Sequence, residues 1–569
     1  MVRTSTNIKI DFTDPTILDD AALGQTQDFY VAVNAEDMIK QRVVPGMYLM
    51  EDLNLNALNG TRTAATDSKR PVDVLATGTS VSGDPELTVD FDTVHTTNGI
   101  TLFFGDNVPK QVTVTWSDEN GIISTKTIQV LNDGVFFRNL AENFTRIRIS
   151  GFVMRNPDRH ARLQFMEYGE AKEWGEEIII SASMHESVDA TSDKLEINTC
   201  SVKILDEEGA YNPDNQNGEW RALMRNQAVV VTEDVNGAIV PCGTFYIDKW
   251  SWQNNILSLE LQDAVGLLDS TIFYDGSVYS GEQAGNIIRS IMAAAGWGKY
   301  TVDTEVARTR VFGHLPVCTC REALQAVCFA VSATCDDSRS DTIEIGMRSR
   351  AISKYIGTAK KFYGSTKSSR APFVSSVTVS CKRYIQDTAQ SEAFSGTLPA
   401  GISRVQFGSP YATVDSVTGG TLVSSGHNYC VVNMASAGEC VVKGKKYETE
   451  DFAVTMEQSL EAGAVENNKT YTARLYPSNP ATLASWLQTY FSWRRELSTR
   501  IIATAEQVGD WCGVIDANGQ MTGVFIESQT IDLTGGFLSD VSGRGYSEQV
   551  GLSYYTGNDD LYMAEDIII

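Results

Sequence analysis

Apolar side chains recur at every second position in one stretch of this chain after another: Val112, Val114 and Trp116; Ile147 and Ile149; Leu163 and Phe165; Leu257, Leu259 and Leu261; Val377 and Val379. A period of two puts each set on one face of an extended strand, so the chain must build sheets that bury one side. Turn chemistry separates the runs. Asn120-Gly121, Asn236-Gly237 and Asn518-Gly519 each set an Asn-Gly step between apolar stretches, a pair that accepts the positive φ values of a two-residue hairpin turn. Meanders or barrels follow from this pattern. No repeat of about 20 to 50 residues accompanies it, which disfavours a solenoid or a propeller.

Three segments switch to helical spacing. Ser280 and Gln283 stand at capping-box distance ahead of Ala284, Ile287, Ile288, Ile291, Met292 and Ala295, with Gly296 as the stop. Thr319 precedes Glu322 in the same way, and Ala323, Leu324, Val327, Cys328 and Val331 form the stripe that follows; a short strand is expected from Thr342 to Ile345. Asn479 reads as an N-cap with Pro480 at the first helical position, and Leu483, Trp486, Leu487, Tyr490 and Phe491 make the buried side. The first two helices and their flanking strands form one small α/β unit.

With 569 residues and a prior of roughly 150 residues per domain, about four domains are expected. The expected fold class is mainly β and multidomain (α+β), divided at 1–160 (an N-terminal arm and β-rich unit), 161–270 (a β unit), 271–350 (the two-helix α/β unit), 351–478 (a β-rich stretch heavy in Gly, Ser and Thr) and 479–569 (a helix that returns to strands).

Lys and Arg number 46 against 72 Asp and Glu, a net charge of −26. That is the wrong sign for holding phosphate backbones by counterion release, so nucleic acid is expected only in passage through a surface to which it does not stick. Met1 to Asp20 lacks the basic start and apolar run of a secretory signal, and no apolar run approaches the roughly 20 residues of a membrane span. The ten cysteines show no CxxC pair; Cys200 alternates with Val202 and Ile204, and Cys328 sits beside Val327 and Val331. Most therefore read as small buried hydrophobes, which fits synthesis in a reducing cytoplasm.

Motifs that carry chemistry are scarce. The five histidines (His95, His160, His185, His314, His427) form no HExxH, no local metal cluster and no partner for a nucleophilic Ser or Cys. Gly543 and Gly545 make a lone Gly-x-Gly without a third glycine or a following helix. No catalytic residue, cofactor or metal is expected. A glycosidase pair needs two carboxyl groups about 5 to 9.5 Å apart, a separation that sequence does not give, and Glu173, Glu176, Glu177 and Asp559-Asp560 are read as solvated charge.

A run of fragments in fixed order adds a resemblance. Ala161 to Gly169 (ARLQFMEYG), Ile178 to Ser183 (IIISAS), Leu195 to Ser201 (LEINTCS) and Tyr211 to Pro213 (YNP) resemble the opening of tail-tip and baseplate hub proteins of long-tailed bacteriophages and prophages. Gly243 to Trp250 (GTFYIDKW) is similar to the strand that closes their first barrel, and Asp263 to Asp269 (DAVGLLD) to its exit into the helical domain. Ala284 to Trp297, Val311 to Pro316 (VFGHLP) and Arg321 to Val327 (REALQAV) are similar to the family's two-helix module, and Ile531 to Phe537 (IDLTGGF) to its final strand segment. The resemblance covers about residues 160 to 550. It implies two β-barrel-like hub domains, a small α/β domain and a further β domain, in a homotrimer that rings the tail axis. The implied partners are the distal tail protein, the tape-measure protein and tip or receptor-binding proteins, and the implied location is the virion tail tip, assembled in the host cytoplasm. The peptidoglycan hydrolase or fibre-like extension of many relatives is not matched, so a wall-cutting activity is not carried over.

The N-terminal unit departs from that pattern. Leu87 to Phe91, Gly99 to Phe104, Val112 to Trp116 and Arg146 to Ile149 look like a jelly-roll sandwich of the galactose-binding kind. Trp116, Phe136 and Phe137 are its candidates for stacking on a host-surface glycan; the plainer reading is that they pack in its core. Two functions are thus expected to compete: a structural tail-tip hub that joins tube to tip and gates genome ejection, and a glycan-binding adhesin or glycan-degrading tail protein.

Overall fold

The computed structural model describes residues 4–11, 17, 22–25, 30–31, 49–50, 64–65, 72–74, 86–104, 108–130, 136–155, 161–163, 165–168, 171–215, 218–220, 223–347, 351–352, 354–459, 465–515 and 521–546. The protein is mainly β and multidomain, as the two-residue period implies.

In the N-terminal unit, Leu87–Phe103 and Phe136–Met154 run antiparallel and are flanked by Ala22–Gln25, Phe165–Glu167, Pro109–Asp118 and Gly121–Gln129 in a six-stranded sheet. Its two longest strands change which parity they bury. Leu87, Val89 and Phe91 face the core at odd positions, whereas Ile100, Leu102 and Phe104 do so at even ones. Such a switch requires an extra residue, and the pairing indeed shifts register between Arg138 and Arg146. The bulges let one long strand wrap a core built around Trp116, Phe144 and Ile147.

The largest sheet takes strands from distant parts of the chain. Ala171–Trp174 forms one edge, followed by Thr4–Asp11, Ala228–Val235, Ala238–Gln253, Ile256–Gln262, Thr199–Leu205, Ile179–Ser187, Met521–Asp532, Leu538–Gly545 and Arg495–Ile502, with Lys367–Arg370 at the other edge. Trp511–Ile515 pairs with Met521–Asp532 and carries Lys354–Ile356 in parallel beside it. Strict alternation buries Cys200, Val202 and Ile204 together with Leu257, Leu259 and Leu261, in one core with Ile531, Leu533 and Phe537 from the rear of the chain. A second core gathers Trp493, Trp511, Phe525 and Ile526. Gly543 and Gly545 belong to this sheet: a Cβ at Gly543 would lie 2.0 Å from the Phe525 carbonyl oxygen, so the Gly-x-Gly serves close strand packing.

The helices are α1 (Ala264–Leu267), α2 (Ala284–Ala294), α3 (Thr304–Arg308), α4 (Cys320–Val331) and α5 (Pro480–Ser492). Thr319 caps α4 by accepting from the Glu322 N–H, and Asn479 caps α5 with Pro480 in its first turn, both as the sequence predicts. Ser280 does not cap α2. It lies in the strand Val278–Gln283, and Gln283 takes the N-cap position without a side-chain bond. The pairing of that strand with Arg310–His314 claims the residues which a longer helix would need. Ile287, Ile288, Ile291 and Met292 of α2 pack with Leu324, Val327 and Val331 of α4 in the core of the α/β unit, whose strands Tyr300–Val302 and Ile343–Gly346 run parallel.

Between α4 and α5 the chain builds a further β region. Ser376–Gln386 pairs along its whole length with Gly438–Glu457, and its Val377 and Val379 pack on Phe329 of α4 and on Leu483 and Leu487 of α5. The outer half of Gly438–Glu457, with Ser391–Leu398, Gly401–Gln406, Tyr411–Thr418, Thr421–Ser425 and Tyr429–Met434, forms a distal lobe. It has its own small core of Val405, Cys430, Val432, Met434, Cys440 and Val442. All ten cysteines are free and buried.

Candidate functional site

The three aromatic candidates of the N-terminal unit fall in different surroundings. Trp116 has no exposed surface and Phe137 is 8% exposed, both within the core of that unit. Stacking on a pyranose needs an open ring face, and these two rings are packed in the core, as the plainer reading has it. Phe136 is half-buried, its ring lying where a Cβ at Gly99 would stand.

The ionisable residues sort in the same physical way. Glu173, Glu176 and Glu177 are exposed, as read from the sequence, while Asp559-Asp560 and His160 lie outside the described residues. Among the described residues no group of three or more His, Cys, Asp or Glu is placed to hold a metal ion, and no helix is long and apolar enough to cross a membrane. His95 is buried against Phe91 with ring centroids 5.1 Å apart, and His185 is exposed beside Thr530.

The sequence reading passed over a buried polar network where the α/β unit meets the largest sheet. Asp263 caps α1 by accepting from the Gly266 N–H at 2.8 Å, and it also accepts from the Asn198 N–H at 2.6 Å. Asp337 accepts from the Ala264 N–H at 2.8 Å and hydrogen-bonds the Asp263 carboxyl. Burial holds both above the usual carboxylate range, with the Asp337 charge adding to it at Asp263 and the Asp336 charge at Asp337, whose bond to Asp263 works the other way. Asp263 spends both oxygens on backbone N–H groups, and Asp337 spends one on the Ala264 N–H and accepts at the other from the Asn198 amide. They hold the start of a helix, and both are buried.

Two residues on, Arg339 reaches into the same junction. Its Nε lies 3.4 Å from Glu186 Oε1, and its Nη1 donates to the Thr504 carbonyl at 2.7 Å. The Gln529 amide, oriented to suit both neighbours, accepts from Arg339 Nη2 and donates to the Glu506 carbonyl. Burial pushes the Glu186 carboxyl up to about 7 against the opposing pull of Arg339. Lys360 donates to Glu506 at 2.9 Å and holds that buried carboxyl below its usual range, although burial alone would raise it. Near the front of the chain, the Thr6 hydroxyl lies 2.9 Å from Glu233 Oε2 and 3.0 Å from the Leu533 carbonyl oxygen, within reach of both acceptors. The ionic groups thus brace strands from front, middle and rear of the chain into one frame. A sequence signal existed only in the acidic run Asp336-Asp337 followed by Arg339, whose partners lie far away in the chain.

That frame ends in two edges without a further strand among the described residues. Ala171–Trp174 carries exposed Glu173 and leads into exposed Glu176 and Glu177. Lys367–Arg370 is exposed at all four positions and is basic. Beside this basic edge, Tyr363 is fully exposed, with Phe362 and Tyr355 more than a third exposed. Ile180, Val230 and Ile239 are exposed on strands of the other half of the sheet.

No family model and no curated protein matches the chain. Among solved structures, it is similar over 64% of its length to 93% of a 43 kDa tail protein of prophage MuSo2 from Shewanella oneidensis, at 13% identity and a TM-score of 0.38. It is similar over 66% to 93% of a tail protein from Neisseria meningitidis MC58, at 13% identity and a TM-score of 0.39. A third is an Escherichia coli type VI secretion component described as similar to the T4 tail proteins gp27 and gp5, which aligns over 66% of this chain and 75% of its own at 9% identity and a TM-score of 0.33. Each of these three is described as a tail protein or as similar to tail proteins.

Proposed function

We propose that the chain is a structural tail-tip or baseplate hub protein, which assembles as a homotrimer around the tail axis, connects the tube to host-contacting components and gates genome ejection. The observation that carries the reading is the thirteen-stranded sheet, which joins strands from front, middle and rear of the chain and has exposed Glu173, Glu176 and Glu177 at one end and exposed Lys367 and Arg370 at the other. Opposite charge at the two ends favours the acidic end of one copy against the basic end of the next. Such a head-to-tail contact is heterologous, and it closes into a ring when the rotation fits. The serial order of the hub-like fragments between residues 160 and 550 supports the same reading, with the distal tail, tape-measure and tip proteins as partners and the N-terminal unit as a docking module for a neighbouring ring. Electron microscopy of the purified chain tests it: threefold rings with an axial passage are expected, and solitary particles at every concentration would oppose it.

A further inference from the structure

The distal lobe touches the α/β unit through a small joint built on His427 and Asn428. Asn428 Nδ2 donates to the carbonyls of Gly276 and Leu315, at 2.6 and 2.8 Å. A Cβ at Gly276 would lie 2.4 Å from the Leu315 oxygen and 3.0 Å from that amide, so only glycine lets the two sides close this far. With its nitrogen committed, the Asn428 amide turns its oxygen to His314 Nε2 at 2.6 Å, and that nitrogen must carry a hydrogen. His427 is held the opposite way. The Val278 N–H donates to His427 Nδ1 at 3.0 Å, and the Ser277 hydroxyl lies 2.8 Å from the same atom. Nδ1 is therefore the bare nitrogen, and the neutral ring carries its hydrogen on Nε2.

A second proton has different consequences at the two rings. On His314 it enters at Nδ1 and leaves the bond to Asn428 in place. On His427 it enters at the atom that receives the Val278 N–H, so that backbone bond across the joint is lost and only the Ser277 hydroxyl, turned to accept, remains for the new N–H. We infer that His427 is a proton-operated latch: its neutral ring holds the distal lobe on the α/β unit, and its protonation releases the lobe.

The surroundings supply no countercharge. His427 faces the Tyr447 ring at 5.4 Å and His314 faces the Tyr384 ring at 5.3 Å, and His314 also feels His427 and Arg474 as positive neighbours. Lys382, Lys446 and Glu448 line the 500 Å³ cleft beside the joint, with Lys446 and Glu448 2.6 Å apart, while Asp275 accepts from the Tyr429 hydroxyl. No carboxylate hydrogen-bonds either imidazole among the described residues. Burial accordingly holds both rings below the ordinary imidazole value of 6.5. An opened joint returns His427 to that value. It binds the extra proton that the closed joint refuses, so opening gains as pH falls below 6.5 and is suppressed above it. One pH unit below the free value, the gain in the opening equilibrium from this ring is at most about tenfold. The latch concerns one chain only and is independent of ring formation.

Hydrogen exchange read by mass spectrometry on the full chain at pH 7.5 and 5.5, corrected for intrinsic exchange, tests the latch. In the wild type, peptides containing the Val278 amide are expected to exchange several-fold and at most about tenfold faster at pH 5.5, with α4 peptides unchanged. His427→Asn supplies a carboxamide oxygen in place of Nδ1 and takes up no proton, so its protection is expected to be equal at both pH values. His314→Gln is expected to keep the wild-type response. Equal protection of the wild type at both pH values overturns the latch, as does a comparable loss in His427→Asn. If His427→Asn is already unprotected at pH 7.5, the wild type and His314→Gln decide.

Discussion

Trp116 contrasts what a residue's pattern reveals with what its environment decides. Its place in the Val112, Val114, Trp116 alternation identifies a strand face and leaves open whether that face is core or binding platform; the ring is fully buried in one core with Phe144 and Ile147. Trp116→Ala is therefore expected to cost about 3 to 5 kcal/mol of stability in the N-terminal unit, read by urea unfolding, because it leaves a large cavity. The cysteines were legible for the same reason, since a small apolar residue in an alternating run has only one place to go. Glu186 was not legible: its partner Arg339 lies far along the chain, and only the fold brings them together. Burial raises Glu186 from 4.5 to about 7, so the stability tied to its protonated form is complete below pH 4.5 and is lost as pH rises toward 7. Glu186→Gln keeps the neutral form at every pH. Relative to wild type it is expected to gain on the order of 3 kcal/mol between pH 4.5 and 7.5 in urea unfolding, and a difference that stays flat with pH would contradict the assigned burial.

At the scale of elements, local chemistry was readable wherever it acts within a few residues. Thr319 and Asn479 cap their helices as expected, and Asn236-Gly237 turns its hairpin with φ values of 55° and 90°. The hairpin at Asn254-Asn255 escaped notice because it reaches positive φ at both positions without a glycine. Ser280 shows the opposite failure, in which a good capping-box spacing loses to strand pairing with Arg310–His314. The two threonine and serine sites predict different outcomes for the same change. Thr319→Ala is expected to destabilise the α/β unit by about 1 kcal/mol, whereas Ser280→Ala is expected to stay within about 0.5 kcal/mol of wild type in the same thermal or urea measurement. Equal costs at both sites would return Ser280 to the role of cap. Asn518-Gly519 lies outside the described residues, although the strands on either side pair antiparallel with Ile515 opposite Met521.

For the whole molecule, the two-residue period announced a β protein, but no local signal disclosed that Thr4–Asp11 and Leu538–Gly545 share a sheet. Strand order is a long-range property, fixed by packing between segments that are hundreds of residues apart. The net charge of −26 belongs to this scale too. In an assembled ring the axial passage is expected to be electronegative, repelling DNA within about a Debye length of 8 Å at physiological salt. A density map of the assembly with a passage walled mainly by Lys and Arg would count against that expectation. The most direct test of the central claim is mass photometry of the purified chain and of a Lys367→Glu, Arg370→Glu double variant. The account predicts a wild-type species at three times the 62.3 kDa chain mass, dissociating at high salt, and a double variant that remains at the mass of one chain. A wild type that stays at 62.3 kDa, or a variant that assembles as well as the wild type, would contradict it.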